Sequence, residues 1–306
     1  MSNTLVEHNN RRIADKFAEY ITGETLRRFV AKKVLDYCGG QANILDGAAG
    51  SGQLEQFISI GDFYAVEIQS KACDALIKNY GSAIVINESF FNHKPSKKMD
   101  CAVMNPPFSL KFSGLTDIEK LNIRQKFPWK KSGVVDDVFI LKAISEVVRF
   151  GVFICFPGIA YRKQEFPMRS IIGHNLAELI TIENGFEDTK ISVLLLVIDK
   201  EKSDDSVKTA IFDCKTGELS SNGCFKINDD FDWITAKDQV EIEKIDIDEI
   251  NDQLDRKILS SIDAHINLQL LQIVYFNKKL NILEFIRNVR DICNKYENEY
   301  FGKLSV

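Results

Sequence analysis

The 306-residue chain lacks any apolar run long enough to span a bilayer. Its opening stretch, MSNTLVEHNN, lacks the charged and apolar regions of a secretory signal. Both absences predict a cytoplasmic protein with no membrane partner. There is no CxxC and no Cys/His spacing suited to zinc; Cys38, Cys73, Cys101, Cys155, Cys214, Cys224 and Cys293 are scattered. They read as reduced thiols, and no metal site is expected. An excess of positive charge is missing too: the net charge of −5 excludes a simple basic coat for nucleic acid. No internal repeat or low-complexity tract is present. Proline is scarce, six in all, yet two of them are adjacent.

That pair stands in VMNPPF, residues 103–108. Adjacent prolines fix two φ angles near −65° and remove two backbone donors. The residue before them, Asn105, is driven into an extended conformation. MDCAVMNPPF therefore reads as a buried strand that stops in a rigid turn, with the Asn105 amide at its C-terminal edge. In an open α/β sheet that edge is where ligands bind.

Apolar strands alternate with helical patterns along the chain. Residues 11–38 read as one or two helices, with Leu26, Phe29, Val30, Val34 and Leu35 at helical spacing before a glycine stop. NILD is a strand, QLEQFISI the start of a helix, DFYAVEI a strand, QSKACDALIKNYG a helix and SAIVINESF a strand. After NPPF come a helix in VDDVFILKAISEVVRFG, a strand in GVFICFPG, a helix in QEFPMRSIIGHNLAELI and paired strands near LITIENG and ISVLLLVIDK. Residues 200–235 are polar and hold one clear strand, VKTAIFDC. The pattern predicts an α/β domain, a parallel sheet with helices on both faces, over 1–235. A small helical extension over 236–306 follows, with an apolar stripe from Ile282 to Cys293.

DGAAGSG, residues 46–52, follows a strand. Small residues let a backbone approach a ligand closely. Glu67, 21 residues beyond Asp46, ends the next strand, where an acid suits a ribose diol. The dinucleotide fingerprint wants a third small residue, and Glu55 stands there instead. This favours a nucleoside without a pyrophosphate, and S-adenosylmethionine fits.

The blocks YITGETLRRFVAKKVL, DGAAGSG, NPPF, FPGIAYRKQEFPMRSII and GFEDTKISVLLLVIDK occur in this order. Together they resemble the γ-class adenine-specific DNA amino-methyltransferases, and most closely the modification subunits of type I restriction–modification systems. The resemblance covers residues 12–213. It implies a Rossmann-like methyltransferase fold that transfers a methyl group from S-adenosylmethionine to adenine N6 in DNA. NPPF resembles the family's N/D/S-P-P-F/Y, which carries catalysis over to Asn105, Pro106, Pro107 and Phe108. DGAAGSG resembles D-P-A-C-G-S-G, which assigns cofactor contacts to Asp46, Gly47, Ala48, Gly50 and Gly52. Glu67, Ile68, Asn87, Phe90 and Thr22 complete that set, with Asn105 shared. Gly23 departs from the proline usual in the family. The family's long helical N-terminal domain and a target-recognition domain have no counterpart, so a DNA-specificity subunit is an expected partner beside DNA itself.

The exocyclic amine of adenine is a poor nucleophile because its lone pair is delocalised. Acceptors at the Asn105 side chain and the Pro106 carbonyl would draw it toward a pyramidal geometry, as preorganised electrostatic catalysis requires. Phe108 would stack on a base turned out of the duplex. Plainer readings stand beside these: a turn for Asn105, core packing for Phe108 and Phe90, a solvated strand end for Glu67, a surface turn for Asn87. Residues 109–132 are rich in lysine and arginine, and Lys111, Lys130, Lys131, Arg162 and Lys163 are candidate nucleic-acid contacts or simply a solvated face. Competing functions are methylation of RNA or of a protein glutamine, and a cofactor-binding subunit inactive without its specificity partner.

Overall fold

The computed structural model describes Leu5 and residues 21–108, 110–187, 191–239, 247–276 and 282–296. The chain divides into two compact units, Met1–Glu241 and Ile242–Val306. The expected helical reading of residues 11–20 lies outside the described residues.

In the first unit, helix α1 (Glu24–Cys38) precedes β1 (Ala42–Asp46), β2 (Ile60–Glu67), α2 (Ser70–Asn79), β3 (Ile84–Asn87) and β4 (Met99–Met104). Then follow α3 (Asp117–Lys126), α4 (Asp136–Ser145), β5 (Val147–Cys155), α5 (Phe166–Ile172), β6 (Leu176–Glu183), β7 (Val193–Asp199), β8 (Ser206–Asp213) and β9 (Glu218–Lys226). All nine strands form one sheet in the order β3-β2-β1-β4-β5-β7-β6-β8-β9. The strands from β3 to β5 run parallel. Strand β7 is antiparallel to both β5 and β6, and β9 to β8, so the sheet is mixed rather than wholly parallel.

Side chains alternate across the strands and make two cores, one per face. Met99, Ala102 and Met104 of β4 pack with Val138, Ile140 and Phe153. Cys101 and Val103 point the other way, toward Leu26, Phe29 and Val30 of α1. Strand β7 divides likewise, Leu194, Leu196 and Ile198 against Val193, Leu195 and Val197. A strand buried on both faces carries few polar positions, which is why these segments read as nearly continuous apolar runs, with Asp100 and Asp199 the exceptions.

Several local expectations are corrected. Residues 53–58 are not a helix but a chain of turns, with Gln56 N–H donating to the Gln53 carbonyl and Ile58 N–H to Glu55. The glycine loop uses so much of the short β1–β2 crossover that a helix has no room. Helix α4 ends at Ser145, and β5 begins at Val147. Helix α5 stops at Ile172, before Gly173 with φ +50, and β6 starts at Leu176. The polar 200–235 stretch holds two strands, because β9 pairs with β8 at the sheet edge. The basic stretch carries α3, nucleated by a capping box between Thr116 and Glu119.

The second unit contains α7 (Ile247–Phe276) and α8 (Ile282–Tyr296), after a short α6 (Ala236–Gln239) in the first unit. Among the described residues no helix is long and apolar enough to cross a membrane. No cluster of three or more His, Cys, Asp or Glu side chains suited to a metal occurs among them.

Candidate active site

Strand β1 leads to β2 on one side, while β4 lies on its other side and leads to β5. The chain direction therefore switches between β1 and β4, and a crevice opens at their C-terminal ends. The 46–52 loop leaves β1 there, and Asn105-Pro106-Pro107-Phe108 leaves β4 beside it. Glu67 and Asn87 end β2 and β3 in the same row. The tertiary structure thus brings the two sequence blocks and both strand-end residues to one edge.

The loop is held from several sides. Gly50 and Gly52 have φ of +55 and +78, a region L side chains rarely enter. Ala48 N–H donates to Asp46 Oδ1 at 2.7 Å and Gly52 N–H to the Ala49 carbonyl at 2.8 Å. From the end of α2, Asn79 Nδ2 donates to the Ser51 carbonyl and Tyr80 OH to the Gly52 carbonyl. A Cβ on Gly52 would lie 2.4 Å from the Tyr80 ring, and one on Gly47 2.6 Å from the Phe90 ring. Phe90 is therefore a core side chain packed under the loop; it also stacks on Phe139.

Glu67 is buried and accepts from the Gly50 and Gln69 N–H groups, each at 2.8 Å. Its carboxylate fixes the loop to the end of β2, while carboxylate oxygens have lone pairs for further donors. Asn87 Nδ2 donates to the Glu67 and Ile68 carbonyls, tying β3 to β2. Ile68 projects an exposed apolar side chain beside them.

Asn105 Nδ2 donates to Thr22 Oγ1 at 3.3 Å. Its Oδ1 is buried and meets no donor among the described residues. A buried acceptor left without a donor costs on the order of 1–3 kcal/mol, so the turn stores an unmet demand for an N–H group. Phe108 is buried and sits edge-to-face with Phe186, ring centroids 5.8 Å apart. Sequence reading did not single out Phe186; its only signal was the block resemblance around GFED. Thr22 pairs with Phe186 as an antiparallel bridge, flanked by Gly23 N–H to the Gly185 carbonyl and Glu187 N–H to the Ile21 carbonyl. The departure at Gly23 now has a reason: proline has no N–H to give Gly185, and a Cβ would lie 3.1 Å from that carbonyl oxygen.

Of the basic candidates, Lys111, Lys131 and Lys163 are exposed. Lys130 is not, which corrects its assignment to nucleic acid. Its side chain is 2% exposed, pairs with Asp137 at 2.5 Å and also donates to the Val134 carbonyl. Arg162 is half-buried and pairs with the buried Glu165 at 2.9 Å.

Comparison with solved structures identifies the fold. A type I restriction–modification methyltransferase subunit from Streptococcus thermophilus matches with a TM-score of 0.53 at 16% identity, over 70% of this chain and 51% of that one. A chain of a type I restriction–modification complex matches with a TM-score of 0.56 at 14% identity, over 88% of this chain and 68% of that one. The type IIG restriction endonuclease BpuSI matches with a TM-score of 0.51 at 18% identity, over 65% of this chain and 28% of that one. The chain spans about half the length of the Streptococcus subunit. The family model described as N-6 DNA Methylase matches residues 3–253, most of the chain, and the protein belongs to that family.

Proposed function

We propose that the protein is an adenine-N6 DNA methyltransferase using S-adenosylmethionine. The observation that carries this reading is the buried Asn105 Oδ1, an acceptor that meets no donor among the described residues, in a turn that two prolines stiffen. They hold it at the switch point of the sheet. A target amine has the N–H groups this position lacks.

The remaining residues fit the cofactor. The 46–52 backbone is open to close approach at Gly50, where a Cβ would meet nothing within 4 Å among the described residues. Glu67 offers carboxylate acceptors to a ribose diol, and Ile68 an apolar surface for a flat ring. Thr22 and Asn87 stand at either side. S-adenosylmethionine, when bound, supplies an electrophilic methyl group on a sulfonium.

The chain's own groups do the rest. Asn105 Oδ1 accepts one hydrogen of the exocyclic amine and the Pro106 carbonyl accepts the other, which draws the nitrogen toward a nucleophilic geometry. Because both acceptors are fixed beforehand, no reorganisation is required as charge develops. Phe108, 4% exposed and packed on Phe186 in the core, braces the turn instead of offering a base a stacking face, which corrects its expected stacking role. The exposed Lys111, Lys131 and Lys163 are the candidates to meet phosphates despite the acidic total.

A DNA-specificity subunit is the partner this reading calls for. In the second unit Leu259, Leu268, Leu271 and Val274 of α7 are exposed, which supports a docking role for that helix. The test is transfer of labelled methyl groups to unmethylated DNA, with and without such a subunit, and identification of the modified base by mass spectrometry. Methyladenine confirms the reading. Label on RNA or on glutamine instead would replace it.

A further inference from the structure

Between the 105–108 turn and α4 the chain makes an excursion that folds back on its own base. Val135 N–H donates to the Leu110 carbonyl at 3.0 Å and Phe112 N–H to the Gly133 carbonyl at 2.8 Å, and Lys111 pairs with Val134 as an antiparallel bridge. Both ends of the excursion are thereby tied together just past Asn105. Its helix α3 opens with the capping box, in which Glu119 Oε2 accepts from the Thr116 N–H and from the Thr116 hydroxyl, each at 2.7 Å. A capping box requires only the bond to the backbone N–H, so one carboxyl oxygen suffices. The other oxygen, Glu119 Oε1, accepts from the hydroxyl of Ser89, 30 residues back in the chain and just past the end of β3. Farther along α3, Asn122 Nδ2 donates to Asn92 Oδ1 at 3.0 Å. Glu119 is 6% exposed, so little water competes for the Ser89 bond.

Ser89 opens a turn that supports the glycine loop. Its carbonyl accepts from Asn92 N–H at 2.9 Å and from His93 N–H at 3.2 Å. The next residue, Phe90, places its ring under Gly47, where a Cβ would stand 2.6 Å from it. On the other side, Glu88 N–H donates to the Glu67 carbonyl at 3.1 Å. We propose that Glu119 is a positioning residue: by holding Ser89 it sets Phe90 beneath the 46–52 loop, and so couples the excursion that follows Asn105 to the cofactor side of the site. The far end of the turn is held without α3, since the Tyr64 hydroxyl meets His93 Nε2 at 2.8 Å and Lys142 Nζ donates to the His93 carbonyl at 2.7 Å. The near end takes its side-chain anchor from Glu119. A hydrogen bond to a carboxylate is roughly twice as strong as one between neutral groups, which suits an anchor.

The inference rests on reading 46–52 as a cofactor loop, and its test separates the two. Ser89→Ala, Glu119→Ala, Glu119→Gln and Thr116→Ala are made in the full chain. Gln keeps the link, because its Oε1 accepts from Thr116 while its Nε2 donates to the Ser89 oxygen. Thr116→Ala weakens the helix cap and leaves Ser89 bonded. Hydrogen exchange at Ala48 and Gly52 N–H, read without ligand, should rise about tenfold in Ser89→Ala and Glu119→Ala and stay near wild type in the other two. Calorimetry with S-adenosylhomocysteine as the probe should show binding weakened about tenfold by alanine at either position, no further by both together, and restored by Gln. Thr116→Ala should lower the thermal midpoint and leave affinity unchanged. Unchanged loop exchange in Ser89→Ala, additive losses in the double variant, or a Gln variant as weak as Ala overturns the proposal. So does an affinity that simply follows the thermal midpoint through all four variants, because Glu119 would then act on the fold alone. A wild-type protein that binds no S-adenosylhomocysteine overturns the cofactor reading instead, and loop exchange then decides the role of Glu119.

Discussion

The Asn105 amide nitrogen donates to the Thr22 hydroxyl at 3.3 Å, across 83 residues of chain. The bond fixes which end of the amide faces the site. With Nδ2 committed to Thr22, Oδ1 is presented as the acceptor, and the antiparallel bridge from Thr22 to Phe186 anchors the hydroxyl in turn. The orientation of one side chain at the end of β4 thus depends on a segment ahead of α1 and another after β6.

Replacing Asn105 with alanine should lower methyl transfer by roughly 100- to 1000-fold, the usual effect of losing one preorganised polar group. Binding of S-adenosylhomocysteine should change much less. Thr22→Val should act in the same direction more weakly, because the amide remains but is free to turn. Single-turnover transfer rates beside calorimetry check both; a Thr22→Val variant that loses cofactor binding without losing turnover would contradict the orienting role.

The Gly23→Pro substitution restores the residue usual in related sequences, yet it should destabilise this protein. It leaves the Gly185 carbonyl without its 2.9 Å donor. A cost of about 1–3 kcal/mol is expected for the lost bond. A lowered thermal midpoint, together with faster hydrogen exchange at Glu187 N–H, is the outcome to look for.

Neighbouring lysines should behave oppositely. Lys130→Ala leaves Asp137 buried without its partner and should cost about 3–5 kcal/mol of stability. Lys131→Ala should leave the thermal midpoint unchanged. If Lys131 meets a phosphate, that variant weakens DNA binding on every sequence and reduces the salt slope by about one. Denaturation curves and a salt titration of DNA affinity distinguish the two.

The buried Asp136 supplies a pH prediction. Burial pushes it up to about 6, against the pull of the Arg162 charge. Between pH 4 and 6 the folded chain holds a proton that the unfolded chain has released, so stability falls as pH rises through this window. At 1.36 kcal/mol for each pKa unit the loss is on the order of 2–3 kcal/mol. Asp136→Asn should remove this decline: the variant and the wild type are compared by urea denaturation at pH 4 and pH 7.5, and the Asn variant gains relative stability only at the higher value.

Much of this was legible in the chain. NPPF ends a strand because two fixed φ angles and two missing donors leave no alternative, and DGAAGSG turns sharply because its glycines take positive φ. Continuous apolar runs such as VLLLVID are strands covered on both faces. Errors arose where local preference was overridden. Residues 53–58 read as a helix start, yet the crossover leaves no length for one. Lys130 read as a surface cation in a basic run, yet Asp137, seven residues on, draws it into the interior.

Sequence alone determined the strand ends, the rigid turn and the glycine loop, because those depend on backbone freedom within a few residues. Only the tertiary structure decided their use. The order β2-β1-β4-β5 places loop and turn side by side, and the Thr22–Phe186 bridge aims the Asn105 amide. Those relations join residues as far as 164 positions apart in the chain. They depend on which surfaces exclude water together, a property no local stretch of sequence possesses.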